Sequence, residues 1–143
     1  DVIFLLAGLI QMGIAMENSG ATTWLADKIL IVGNNFSGFW VLIFFYFVTT
    51  ILTEILSNNA SVILMIPIAV KVAESLTLNP FAIMFTVTFA ASNSFMTPIG
   101  YQTNTMVYSP GGYRFRDFTR FGAPLSILQG IITPFLVIWL YGL

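Results

Sequence analysis

Long apolar runs separated by a few polar points organise this chain. Val2 to Met16 reads as a first apolar helix, ended by Glu17-Asn18-Ser19-Gly20. Ala21 to Val32 is too short to span and predicts a helix lying at a membrane interface, with Trp24, Leu25, Ile29 and Leu30 on one side and Asp27 and Lys28 on another. Gly33-Asn34-Asn35 predicts a turn. Phe36 to Leu56 is the most lipid-like run. It leads into Ser57-Asn58-Asn59, after which Ala60 to Leu76 resumes, with Pro67 inside and Lys71 and Glu74 spaced for an ion pair. Leu78-Asn79-Pro80 predicts a loop and a helix start. Phe81 to Met96 is apolar again, and the chain then breaks at Thr97-Pro98-Ile99-Gly100-Tyr101-Gln102-Thr103-Asn104. Met106 to Tyr108 resumes briefly before the Pro110-Gly111-Gly112 loop, the basic segment Tyr113 to Arg120, and a last span from Phe121 to Leu143. The expected segments are 1–35 (spanning plus interfacial helix), 36–76 (a re-entrant hairpin with a Ser-Asn-Asn tip), 80–110 (a discontinuous spanning helix), and 111–143 (a basic cytoplasmic loop and last span).

The two breaks carry the chemistry. Three consecutive polar side chains at Ser57 to Asn59 cannot face hydrocarbon, where each unsatisfied polar group costs several kcal/mol. Serine and asparagine compete for backbone groups and then cap the helix that follows, so the helix is expected to turn at Ser57 to Asn59 and resume at Ala60. The second break adds Pro98, which lacks an N–H, and Gly100, which destabilises helix through entropy. Paired interrupted helices point to a midplane site in secondary transporters. A half-helix starting in the membrane aims free N–H groups at an anion. Carbonyls freed at the end of the preceding half, with Ser, Thr and Asn oxygens, suit Na⁺. A single Asn or Ser in a spanning helix is ordinarily an interhelical hydrogen bond, but two multi-residue breaks exceed that reading. Glu54 is either a hydrogen-bonded strut fixing the hairpin or a carrier of protons.

Composition narrows the class. Of 143 residues, 57% are hydrophobic and 8% charged, against about 25% charged in soluble domains, so an all-α polytopic membrane protein is expected. No alternation suggests a β-barrel. A net charge of −1 gives no basis for nucleic-acid binding. The absence of Cys and His excludes thiol chemistry, disulfides and imidazole metal sites. An enzyme is not expected, and no cofactor is implied beyond Na⁺ as coupling ion. The chain opens Asp-Val-Ile-Phe without a signal peptide, like a cut through a longer protein. Arg114, Arg116 and Arg120 make their segment cytoplasmic and the C-terminus external by the positive-inside tendency.

The stretch SNNASVILMIPIA, followed by SFMTPIGYQTNTMVY, resembles the divalent anion:Na⁺ symporter family (solute carrier 13 type) of the ion-transporter superfamily. The run PGGYRFRDFTRFGAPL is most similar to its sulfate-permease-like and citrate-transporter-like branch. The resemblance covers nearly the whole chain and is densest from Thr53 to Leu125. It implies a membrane carrier that couples Na⁺ to uptake of sulfate or a di- or tricarboxylate. By position, Thr53, Ser57, Asn58, the Gly100 carbonyl and Asn104 match sodium ligands, while Asn58, Asn59, Tyr101, Gln102 and Thr103 match substrate positions. Asn59 stands for the family's threonine, and Tyr101-Gln102-Thr103 stands for its Thr-Pro-Pro, so the substrate is less defined than the sodium side. The family is built from two inverted repeats, and this chain matches the second. The N-terminal repeat, a homodimer and the bilayer are the implied partners, and the chain alone is not expected to transport. A proton-coupled or antiport carrier and a channel pore element are the alternatives.

Overall fold

A computed structural model describes residues 2–33 and 37–141, and among these there are seven helices and no strand. They are α1 (Val2–Asn18), α2 (Ala21–Gly33), α3 (Gly38–Thr53), α4 (Asn58–Ser75), α5 (Pro80–Ala91), α6 (Gln102–Tyr108) and α7 (Phe115–Tyr141). The all-α expectation holds. The predicted turn at Asn34-Asn35 lies outside the described residues.

α3 and α4 form a helical hairpin, and α5 packs against both. α1 and α2 cover the far side of α4, while α7 closes the assembly against α3 and α5. Leu42, Phe45, Val72, Ile83 and Val87 fill the core between these helices. Ala69, Ala73, Ala82, Ala90 and Ala91 are wholly buried. Small side chains at those points let the backbones approach, which is how helices associate where apolar burial gives no net drive. α7 uses the same device. Its buried positions Gly122, Ser126, Gly130 and Pro134 recur every fourth residue and form a narrow stripe of small residues. A Cβ at Gly122 would run into the Phe95 carbonyl, and one at Gly130 would meet the Phe47 ring at 2.7 Å.

Among the described residues, α7 is the helix long and apolar enough to cross a membrane. α3 and α5, at 16 and 12 residues, fall short of the roughly 20 needed. The phenylalanines Phe81, Phe85 and Phe89 of α5 and Phe135 and Trp139 of α7 are exposed, an apolar exterior suited to lipid or to further protein.

Helix boundaries and one helix face differ from expectation. α6 begins at Gln102, inside the break expected to run to Asn104. α5 stops at Ala91 rather than Met96. The basic segment read as a loop is helical from Phe115, because Asp117 in the first turn accepts from the Arg114 N–H at 2.7 Å and caps the helix. In α2, Trp24 does not share a side with Leu25, Ile29 and Leu30. It is exposed, with the Lys28 ammonium 5.8 Å from its ring, while Leu25 and Ile29 pack towards the core beside the buried Ala26. Lys71 and Glu74 lie 3.7 Å apart and both are exposed, a contact worth a few tenths of a kcal/mol.

Candidate functional site

α3 ends at Thr53, Glu54 to Leu56 turn, and Ser57 is the N-cap of α4. The Ser57 Oγ accepts from the Ala60 N–H at 3.3 Å, and the Ser57 carbonyl receives Ser61 N–H at 3.0 Å. The helix therefore restarts at Asn58, two residues before the expected Ala60. Serine captures the first-turn amide directly, so the asparagines are freed from capping. Asn58 and Asn59 project instead from the first turn of α4, beside its uncommitted N–H groups.

The second break faces this tip. Thr53 Oγ1 lies 2.8 Å from the Ala91 carbonyl at the end of α5 and 2.7 Å from Asn58 Oδ1. A hydroxyl has one proton, so it donates to one of these oxygens at a time and keeps lone pairs free. The carbonyls released at the end of α3 are met by hydroxyls of the break: Ser94 Oγ donates to Thr53 at 3.4 Å, and Thr97 Oγ1 donates to Glu54 at 3.3 Å. In return Met96 N–H donates to Glu54 Oε1 at 2.7 Å. Glu54 is 5% exposed, and its Oε2 is buried without a hydrogen-bond partner.

The break is stapled from within as well. Asn104 Nδ2 donates to the Ser94 carbonyl at 2.8 Å and the Thr97 carbonyl at 3.0 Å. Thr105 Oγ1 donates to the Pro98 carbonyl, Gly100 N–H to Thr97 Oγ1, and Thr119 Oγ1 of α7 to the Met96 carbonyl. Backbone groups orphaned where a helix fails inside a protein must find such partners. Gly100 packs directly against the polar side chains of the junction: a Cβ would strike Ser94 Oγ and stand 2.7 Å from Glu54 Oε2, so any side chain there displaces them.

The structure thus gathers Thr53, Asn58, Gly100 and Asn104 around one oxygen-rich junction, with Ser57 capping its edge. Asn59, Tyr101, Gln102 and Thr103 are exposed, and among the described residues no side-chain hydrogen bond ties them to the junction. Ser94 and Thr97 lie outside the expected site residues, and the polar run Ser92-Asn93-Ser94 within an apolar stretch is the sequence signal that points to them. Among the described residues no three acidic, His or Cys side chains converge. The oxygens on offer are hydroxyls, amides and carbonyls around one carboxylate, the hard donor set that suits an alkali cation. Two clefts lie away from the junction. One of about 320 Å³ is apolar, between Phe95, Val107, Phe118 and Phe121, and one of about 580 Å³ lies among Arg114, Arg116 and Arg120.

Residues 1–142 match the family model described as citrate transporter. The chain is 65% identical over 142 residues to an uncharacterized transporter of Synechocystis sp., covering 99% of this chain and 23% of that protein. It is 33% identical over 140 residues to sodium/sulfate cotransporter 1 of Chlamydomonas reinhardtii, covering 97% of this chain and 16% of the relative. It is 35% identical over 133 residues to solute carrier family 13 member 2 of Mus musculus, covering 93% and 22%. The chain therefore spans less than a quarter of the length of these relatives. With a match along its whole length and relatives that are transporters, this chain belongs to the citrate transporter family, a family of membrane transporters and not enzymes.

Proposed function

We propose that this chain is the C-terminal repeat of a multi-pass cell-membrane carrier that couples Na⁺ to uptake of a divalent anion, sulfate or a di- or tricarboxylate. The observation that carries this reading is the junction of two failed helices. α3 and α5 end beside one another, their last carbonyls bonded across the gap through Thr53, Ser94 and Thr97, while α4 begins there with free N–H groups. The oxygen side suits Na⁺, with Thr53, Ser57, Asn58, the Gly100 carbonyl and Asn104 as ligands. The start of α4 suits an anion, with Asn58, Asn59, Tyr101, Gln102 and Thr103 facing it. That the algal relative is a sodium/sulfate cotransporter supports the coupling ion. The N-terminal repeat supplies the other half of the pocket, and the carrier assembles as a homodimer. The tip and the break then move as one body between the two faces of the membrane.

The test is uptake of radiolabelled sulfate and succinate by the full-length carrier in proteoliposomes, with and without a Na⁺ gradient. Na⁺-driven uptake lost in Asn58→Ala supports the reading, and uptake indifferent to Na⁺ overturns it. A second reading, proton coupling through Glu54, is favoured by one observation: the partnerless, buried Oε2.

A further inference from the structure

Behind the junction lies a second buried polar cluster that touches none of the proposed ligands. Asn93 is 1% exposed. Its Nδ2 donates to the Tyr46 hydroxyl of α3 at 2.6 Å and reaches the Ser126 carbonyl of α7 at 3.5 Å, while Ser126 Oγ donates back to Asn93 Oδ1 at 3.1 Å. Tyr46 and Ser126 are themselves buried. Both amide protons of Asn93 are thereby committed inside the protein, so this side chain has no donor left for an anion. It is not a ligand. Its position along the chain matters more. Ala91, two residues before, accepts from Thr53, and Ser94, the next residue, donates to the Thr53 carbonyl and accepts from Asn104. Asn93 is the point at which α3 and α7 together grip the strand of chain carrying those groups.

We propose that Asn93 is a positioning residue of the sodium side, held by Tyr46 and Ser126 so that the 91–94 segment keeps its register against Thr53. This rests on the transport reading above and adds a residue outside the ligand set. Without the grip, the Ala91 carbonyl and the Ser94 hydroxyl lose the fixed offset from Thr53 that a small cation requires. A polar group left unpaired by removal of its partner also seeks a new one, which moves the segment further.

The experiment uses the full-length carrier in proteoliposomes and reads the Na⁺ concentration giving half-maximal uptake, together with amide hydrogen exchange of residues 92–101. Asn93→Ala is expected to raise that concentration about tenfold, with the maximal rate less affected, and to speed exchange across 92–101. Tyr46→Phe is expected to act in the same direction. The double variant should be no worse than Asn93→Ala alone, because both remove the same tie. Ser126→Thr, which keeps the hydroxyl, should restore what Ser126→Ala loses. Unchanged Na⁺ dependence in a folded Asn93→Ala protein, or additive effects in the double variant, overturns the proposal. Should Asn93→Ala not fold, the Ser126 pair decides by the same readouts. If the parent shows no Na⁺-driven uptake, the transport reading fails by itself, and unaltered exchange at 92–101 in the variants separately overturns the grip.

Discussion

Replacing Glu54 by Gln and by Ala separates the hydrogen bond this side chain makes from the charge it carries. Glu54 Oε1 accepts from Met96 N–H at 2.7 Å, and the residue sits in the turn that joins α3 to the cap of α4. Glutamine keeps the length and the accepting oxygen. A hydrogen bond to a charged group contributes about 1.5–3 kcal/mol and a neutral one about 0.5–1.5, so Glu54→Gln should cost about 1 kcal/mol, roughly fivefold in Na⁺ affinity. Alanine removes the acceptor and strands a buried N–H, for about 2–3 kcal/mol, which is roughly 30- to 150-fold. The assay is uptake in proteoliposomes driven by a Na⁺ gradient alone and by a pH gradient alone. The strut reading expects Glu54→Gln to retain most Na⁺-driven uptake while Glu54→Ala loses it. If the two variants are equally inactive, the charge and not the hydrogen bond is essential, and the strut argument is wrong. Loss of pH-driven uptake in Glu54→Gln would support the proton route, whereas intact Na⁺-driven uptake counts against it.

Two glycine substitutions should diverge for a geometric reason. At Gly100 the atoms in the way of a Cβ are side-chain ends, Glu54 Oε2 at 2.7 Å and Thr97 Oγ1 at 3.1 Å among them. The fold can yield there for about 1 kcal/mol, but the oxygen cluster is displaced, so Gly100→Ala should raise the half-saturating Na⁺ concentration while thermal unfolding in detergent shifts little. At Gly122 the obstacle is backbone, the Phe95 carbonyl and Met96 N at 2.9 Å. Gly122→Ala should therefore cost at least ~2 kcal/mol and lower both the unfolding temperature and the yield of folded carrier. Similar unfolding temperatures for the two variants would refute the distinction.

The sequence carried the helical class and the existence of both breaks because an apolar run cannot absorb three polar residues, or a proline and a glycine, without failing somewhere. It did not place the failure. Ser57 and Asn58 are both good caps by propensity, and only the Ser57 Oγ contact with Ala60 N–H puts Asn58 inside α4. At the second break the expected helix continued to Met96 because Ser92, Asn93, Ser94 and Phe95 contain no strict helix breaker. What stops it at Ala91 is tertiary: Thr53 offers the Ala91 carbonyl a donor, and Asn93 is drawn to Tyr46 and Ser126 from helices 47 and 33 residues away in sequence. The basic segment is the local counterexample: Gly111-Gly112 and the arginines read as loop, yet Asp117, three residues from Arg114, caps α7 from within its first turn. Breaks set by residue type are legible in the sequence; the points where they fall, set by partners far along the chain, are not. α3 and α5 are each too short to cross a membrane, and their broken ends are completed by side chains from other segments. The oxygen-rich junction is therefore a property of the packed bundle, and no single segment contains it.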